Sequence, residues 1–233
     1  MNITWHGHSF FELEAADGTN VLIDPFIEGN PTCDVTVDDL DPDVVAVTHG
    51  DYFDHAGAAH EFDAHVICQS LMARALLEEE GHEDVTDLNL GGRYEYGGVE
   101  FLMTHGFHSM GTALPDVERV DYGGVAAGYV VDDGETKFYH SGDTCLFGDL
   151  KTVIGDVYDP DVAALPIGGH HTMEADHAAI AADWTGVDAA IPCHYDTFPD
   201  VEADPQVFAD GVSDAEVFVM DPGETIEYVG GDR

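Results

Sequence analysis

The chain has 233 residues and an apolar fraction of 44%, which is enough for one well-buried core. Its 48 acidic residues stand against 6 lysines and arginines, so the net charge is −42. Such a charge argues against nucleic acid and anionic membranes as partners, because both are bound through clusters of Lys and Arg. The many aliphatic and aromatic runs argue against a disordered acidic chain.

The sequence predicts a single domain over residues 1–233 that works in the cytoplasm. No apolar run is long enough to cross a bilayer, and we expect no signal peptide. The four cysteines lack paired spacing, which is typical of a reducing compartment; they are Cys33, Cys68, Cys145 and Cys193. A small molecule is the expected partner, and self-association into a homo-oligomer is left open.

The first 90 residues predict a β-meander that passes into an alternation of strands and helices. The predicted strands cover residues 2–5, 10–14, 21–23, 43–47 and 65–68, and a helix covers residues 71–80. Ser70 is the expected N-cap of this helix and Gly81 its C-terminal stop. Strands that alternate with helices favour parallel pairing.

The middle of the chain predicts two hairpins, and the last third returns to the alternation. The hairpins cover residues 91–104 and 124–140. The later strands cover residues 162–165, 189–191 and 215–220, and the helices cover residues 174–185 and 205–210. This order predicts an α/β fold in which two β-rich halves pack face to face with helices outside, a four-layer αββα sandwich.

One stretch concentrates side chains that bind metals. Residues 48–57 place His49, Asp51, Asp54 and His55 within seven positions, directly after a predicted buried strand. Two imidazoles and two carboxylates this close repel or are poorly solvated unless a cation lies among them. Neutral imidazole and carboxylate suit zinc, iron or manganese. The stretch therefore predicts a divalent metal site.

Further candidate ligands follow other predicted strands. His108, Asp143 and His194 all lie near the ends of apolar strands. Taken singly, each histidine is as readily a polar turn residue, since the chain has 14 histidines. Their recurrence at strand ends favours ligands that converge, because side chains there meet without a long loop closure.

An ordered series of short motifs covers nearly the whole chain. In chain order they are Trp5-His-Gly-His8-Ser9, Leu22-Ile-Asp-Pro25-Phe26, Phe107-His108-Ser109, Tyr139-His-Ser-Gly-Asp143-Thr144, Leu146-Phe-Gly-Asp149, Leu165-Pro-Ile-Gly-Gly-His170 and Pro192-Cys-His194-Tyr195. With these motifs the chain resembles the metallo-β-lactamase superfamily. Within it, the chain is similar to the small metal-dependent hydrolases related to ascorbate-phosphate lactonase.

The resemblance implies an αββα sandwich with two divalent metal ions at one edge. Zinc is the first candidate for these ions, and manganese and iron are the alternatives. It implies one ion on His49 and His108, a second on Asp54, His55 and His194, and Asp143 as the bridge. A metal-bound hydroxide would then attack an ester, lactone, amide or phosphodiester. Asp54 would orient or deprotonate the attacking water, or would act as a ligand alone.

The centre of the signature departs from the family pattern His-x-His-x-Asp-His. The segment from His49 to His55 is one residue longer, and Asp51 stands where the second His is expected. Either Asp51 ligates the first ion, which favours manganese or iron, or a bulge turns it aside and weakens that site. A non-catalytic metal-binding or sensor protein with a degenerate first site is therefore the alternative to the hydrolase.

Three other histidines match positions near the implied site. By the resemblance, His8 and His170 contact the substrate or support the ligands, and His170 is also given a catalytic role. His140 lies inside a predicted strand just before Asp143, and we expect it to support a ligand or to be a polar core residue. Cys193 adjoins a candidate ligand and is interpreted as a packing residue.

We predict that the protein is halophilic and that its folded state loosens at low salt. An acid-coated surface repels itself, and at about 1 M salt the screening length falls to about 3 Å, which removes most of that repulsion. The melting temperature, followed by circular dichroism, is expected to rise with KCl concentration. A melting temperature that does not change with salt would contradict this adaptation.

Overall fold

The computed structural model describes residues 1–50, 59–75, 81–112, 121–122 and 124–231. In chain order, its strands are β1 (Asn2–Trp5), β2 (Phe11–Glu14), β3 (Asn20–Ile23), β4 (Val44–Ala46), β5 (His65–Gln69), β6 (Val85–Leu88), β7 (Arg93–Tyr96), β8 (Val99–His105), β9 (Gly111–Thr112), β10 (Asp121–Tyr122), β11 (Ala127–Asp132), β12 (Lys137–His140), β13 (Val162–Pro166), β14 (Ala189–Cys193), β15 (Glu216–Val217) and β16 (Glu224–Glu227). The α-helices are α1 (Ser70–Ala75), α2 (Ala175–Thr185) and α3 (Pro205–Gly211). A π-helix spans Leu150–Tyr158.

Fourteen of these strands form two seven-stranded sheets with the same pairing pattern, and β9 and β10 pair with each other as a separate two-stranded sheet. The first sheet has the order β16-β1-β2-β3-β4-β5-β6, and the second has the order β15-β14-β13-β12-β11-β8-β7. In the first sheet, pairing changes from antiparallel to parallel at β3, and in the second it changes at β12. Each sheet therefore presents a row of parallel strand ends at one edge, and side chains that follow these strands can meet there.

The main core lies between the two sheets, and a smaller apolar cluster covers the outer face of the first. Val21 and Ile23 of β3 point into the main core, whereas Leu22 between them joins the outer cluster with Phe62 and Met72. This alternation follows from the two-residue period of a strand. Helix α2 packs on β13, and α1 packs on β5 and β6. The result is the predicted αββα sandwich.

Most predicted elements are confirmed, and the differences occur in exposed or polar segments. The predicted strand over residues 215–220 is wrong in extent, because β15 covers only Glu216–Val217 at the edge of its sheet. Strand β16 was not predicted; its sequence Glu-Thr-Ile-Glu lacks an apolar run, and it pairs antiparallel with β1. Residues 76–80 of the predicted first helix lie outside the described residues.

Across the described chain, no helix has the length and hydropathy needed to span a bilayer.

Tyr129 ties the second sheet to the strand ends of the first. Its buried hydroxyl shares its one proton between the carbonyl oxygens of Val47 (3.0 Å), the residue after β4, and Ile67 (3.2 Å), which lies in β5. Burial raises the pKa of the Tyr129 hydroxyl well above its ordinary value, so this group remains a donor. A further bond runs from the Ala127 N–H to the Thr48 carbonyl (3.0 Å). These bonds fix the place where the segment bearing His49 leaves β4.

We expect Tyr129→Phe to lower the free energy of unfolding by about 1–3 kcal/mol, because two buried carbonyl groups lose a donor while the ring volume is kept. Urea unfolding followed by circular dichroism measures the change. Tyr96→Phe, on the half-exposed edge strand β7, is the matched control and should change stability by less than about 0.5 kcal/mol. Equal effects of the two substitutions would show that the hydroxyl does not tie the sheets together.

Candidate metal centre

Four of the predicted ligands lie just beyond strand ends. His49 follows β4 of the first sheet, whereas His108, Asp143 and His194 follow β8, β12 and β14 of the second. His49, Asp143 and His194 are buried, and His108 is half-buried. The candidate ligands come from both sheets, His49 and His194 after strands with parallel neighbours and His108 after β8, whose neighbours are antiparallel.

The carboxylate of Asp143 is the centre of this cluster. Its Oδ2 atom lies 3.1 Å from Nε2 of His194, 3.8 Å from Nε2 of His49 and 3.9 Å from Nε2 of His108. The donor atoms of His49, His108 and Asp143 all lie within 4.8 Å of one another. The rings of His49 and His108 meet edge to face, with centroids 5.2 Å apart.

This donor set suits a divalent transition metal. Zinc bonds to nitrogen and oxygen are about 2.0–2.1 Å long, so neighbouring donors of a tetrahedral ion stand about 3.3–3.4 Å apart. The distances of 3.1–3.9 Å around Asp143 lie within about 0.6 Å of this spacing. Imidazole and carboxylate are the ligands that zinc, manganese and iron share. The residues present therefore fit the metal that the sequence predicts.

The remaining members of the predicted signature lie outside the described residues. These are Asp51, Asp54 and His55. Their roles as ligands, and the catalytic role of Asp54, stay predictions. The choice between ligation and displacement of Asp51 likewise stays open.

Asp24 and Thr48 support His49, and sequence analysis gave neither a role. The carboxylate of Asp24, which is fully buried just after β3, accepts hydrogen bonds from the Thr48 N–H (2.8 Å) and hydroxyl (2.7 Å). The same hydroxyl lies 2.8 Å from Nδ1 of His49. Because the hydroxyl has one proton and gives it to Asp24, His49 must donate through Nδ1. The lone pair of His49 is then on Nε2, the atom that faces Asp143.

His140 has a tautomer fixed in a similar way. Its Nδ1 accepts from the Gly142 N–H (3.1 Å), so Nε2 carries the proton and donates to the Ser9 carbonyl (3.0 Å). His140 is therefore held between the β1–β2 turn and the loop that carries Asp143, in agreement with a supporting role. Gly142 has a positive φ of 60°, and a Cβ there would collide with the Ala127 carbonyl. Glycine thus lets this loop pass close to β11.

His8 connects the turn between β1 and β2 to His194, the last candidate ligand along the chain. Its backbone carbonyl accepts from the His194 N–H (2.8 Å), and its ring lies over that of His194, with centroids 3.9 Å apart. Nδ1 of His8 lies 2.9 Å from the Thr197 hydroxyl. His8 and His194 have positive φ values of 53° and 54°, as do Asp24 and His170 at 49°. Such backbone strain in non-glycine residues is concentrated at functional sites.

His170 is placed differently from the other predicted site residues. It lies on the exposed turn after β13, where its ring packs edge to face against that of His171. Its catalytic and substrate-contact roles stay predictions.

Cys193, beside His194, is buried. Burial, as the larger cause, and the charge of Asp143 raise the pKa of its thiol well above the ordinary value. This agrees with the interpretation of Cys193 as a packing residue.

Comparison with known proteins places this fold and site in a family. Residues 2–194 match the Beta-lactamase superfamily domain. The chain is 43% identical over 237 residues to a UPF0173 metal-dependent hydrolase of Methanobrevibacter smithii, covering 98% of this chain and 97% of that protein. It is 41% identical over 239 residues to another from Methanopyrus kandleri, covering 97% of this chain and all of that protein.

A solved structure shows the same architecture. The chain is similar to Igni18, described as a novel metallo hydrolase from the hyperthermophilic archaeon Ignicoccus hospitalis, with a TM-score of 0.83 and 34% identity. The match covers 97% of this chain and 98% of that one. The chain therefore belongs to the metallo-β-lactamase superfamily and, within it, to the UPF0173 family of metal-dependent hydrolases. The finer resemblance to ascorbate-phosphate lactonase stays a prediction.

Thr48→Val should weaken metal binding about 10- to 100-fold, because it keeps the side-chain shape but removes the hydroxyl that fixes the His49 tautomer. Competition between the protein and a chromogenic chelator for zinc measures the affinity. Thr48→Ser restores a hydroxyl and is expected to recover most of the affinity. Wild-type affinity in the valine variant, with its fold confirmed by circular dichroism, would show that the hydroxyl does not position His49.

Proposed function

We propose that this protein is a cytoplasmic, single-domain hydrolase that uses divalent metal to cleave an ester, lactone, amide or phosphodiester bond in a small molecule. The observation that carries the proposal is the convergence of His49, His108 and His194 on the Asp143 carboxylate in a largely buried site. Three imidazoles around one carboxylate form a set of ligands suited to metal-assisted hydrolysis. Family membership supports the same reaction class.

The proposed ligand set is the one implied by the sequence. His49 and His108 would hold one ion, and His194 would hold a second together with Asp54 and His55, with Asp143 between them. Zinc is the first candidate, with manganese or iron as alternatives. Bound divalent ions would lower the pKa of a water molecule toward about 7 and polarise the oxygen of the bond to be cleaved.

The protein's own residues would keep this site in order during the reaction. Asp24 and Thr48 hold the His49 Nε2 lone pair toward the site, and His140 anchors the loop that carries Asp143. The burial of His194 and Asp143 keeps bulk water from competing for their donor atoms. Asp54 is proposed to orient the attacking water and accept its proton, and His170 to contact the substrate from the exposed turn after β13.

The altered signature favours one alternative, a non-catalytic metal-binding or sensor protein. Asp51 stands where the family pattern has its second histidine, and a bulge that turned it aside would leave the first site weak or empty. Metal content separates the two functions. Two tightly bound ions per chain, measured by inductively coupled plasma mass spectrometry, support the hydrolase, and one or none supports the sensor.

His194→Ala should lower the bound metal per chain and abolish hydrolysis, because it removes an imidazole 3.1 Å from the central carboxylate. Metal content and turnover of ester, lactone and phosphodiester panels in high salt measure the two effects. His177→Ala, an exposed histidine on α2, is the matched control and should change neither. Unchanged metal content in His194→Ala would reject the proposed ligand set.

A further inference from the structure

Two aromatic side chains are exposed beside the candidate metal centre. Ten large apolar side chains are exposed in the described part of the chain, and eight of these are aliphatic. The two aromatic ones are Phe107, which is 57% exposed, and Phe198, which is 36% exposed. Phe107 directly precedes the candidate ligand His108. The Phe198 ring contacts that of His8, which in turn contacts the candidate ligand His194. The aliphatic ones include Val157 on the π-helix. This distribution points to a use for exposed rings at the site.

Phe107 is held in its exposed position by the loop that carries Asp143. Its N–H donates to the Thr144 hydroxyl (2.9 Å), and its carbonyl accepts from the Cys145 N–H (3.3 Å). Its ring packs edge to face against Phe147, with centroids 5.0 Å apart. His108 is the next residue in the chain. The exposure of Phe107 is therefore built into the backbone of the site.

Phe198 is connected to the same centre through His8. Its ring lies edge-on to the ring of His8, with centroids 6.0 Å apart, and His8 covers the ring of His194 at 3.9 Å. The Phe198 carbonyl accepts from the Val201 N–H (3.0 Å) and closes a 3₁₀ turn that fixes the backbone here. Phe26 packs against the same His8 ring, at 5.4 Å.

The two rings are thus linked to one carboxylate through different histidines. The link from Phe107 passes through His108, and the link from Phe198 passes through His8 and His194; both end at Asp143. Aromatic rings favour other flat rings by offset or edge-to-face contact, beyond what burial of area alone supplies. A substrate whose reacting group sits at Asp143 would carry its flat group against one or both of these rings.

The acidic character of the protein favours uncharged substrates over anionic ones. The acidic residues behind the net charge of −42 disfavour anionic substrates such as phosphodiesters at short range, within the screening length of about 3 Å at 1 M salt. We propose that Phe107 and Phe198 determine specificity and that the substrate is an uncharged carboxylic ester or lactone with an aromatic or similarly flat apolar group. This inference rests on the proposed function, because it names the substrate class of the same site.

The test compares two esters that share one reacting centre. Methyl 4-phenylbutanoate and methyl 4-cyclohexylbutanoate have the same leaving group and similar size, but only the first has a flat aromatic ring. With zinc- or manganese-loaded full-length protein in high salt, kcat/KM should favour the phenyl ester about three- to tenfold. Equal rates, or a preference for the more hydrophobic cyclohexyl ester, would overturn the proposal.

Two single variants test whether the preference for the phenyl ester arises from the rings of Phe107 and Phe198. Phe107→Leu and Phe198→Leu keep an apolar side chain but remove the flat ring, so each should bring the phenyl-to-cyclohexyl ratio closer to one. Val157→Ala, an exposed apolar residue on the π-helix, is the control and should leave the ratio unchanged. A ratio that neither leucine variant alters would overturn the assignment to these rings.

A binding measurement separates this inference from the proposed hydrolysis. If neither ester is cleaved, turnover of the ester, lactone and phosphodiester panels decides the proposed function separately. Binding of the uncharged 4-phenylbutanamide and 4-cyclohexylbutanamide is then compared by ligand-observed NMR. Preferential binding of the phenyl amide by the wild type, reduced in Phe107→Leu or Phe198→Leu, would support the aromatic site without hydrolysis. Equal binding of the two amides would overturn it.

Discussion

The Asp143 carboxylate is the point on which the rest of the site depends. It is nearly fully buried, and burying a carboxylate is costly unless polar or charged partners surround it. Three imidazoles surround it here, one from the first sheet and two from the second. A metal ion among these groups would supply the positive charge that a buried carboxylate requires, and the fold brings them together by turning the strand ends of both sheets to one edge.

A second buried carboxylate, Asp24, supports this cluster through Thr48 and His49 without being one of its candidate ligands. Asp24 accepts hydrogen bonds from the N–H and the hydroxyl of Thr48. Because the hydroxyl donates its one proton to Asp24, it can only accept from Nδ1 of His49, which leaves Nε2 of His49 available to a metal. Tyr129 and Ala127 hold the backbone on either side of Thr48, so the orientation of His49 depends on both sheets. The arrangement is stable because each buried polar group of this network has a hydrogen-bonding neighbour.

The surface around this site combines two opposite features. The net charge of −42 makes the protein strongly hydrated and self-repelling, yet two phenylalanine rings stand exposed next to the candidate ligands. Singly exposed apolar side chains are ordinary on a protein surface, so the connection of these two rings to the candidate ligands, rather than their exposure alone, calls for an explanation. The contrast is the physical reason to connect the rings with recognition of an uncharged, flat substrate.

The sequence by itself determined the types of element, the two hairpins and the kinds of ligand, because apolar runs, turn residues and ligand chemistry are local properties. It also indicated that His108, Asp143 and His194 follow strands, as they do. It could not predict β16, whose polar residues gain their structure from pairing with β1 more than 200 positions away. The tertiary structure alone decided the Asp24–Thr48–His49 contact, the tilted ring contact between His8 and His194 and the exposure of Phe107 and Phe198. Each of these depends on which strand ends become neighbours, and that is settled by the order of the sheets rather than by any single segment.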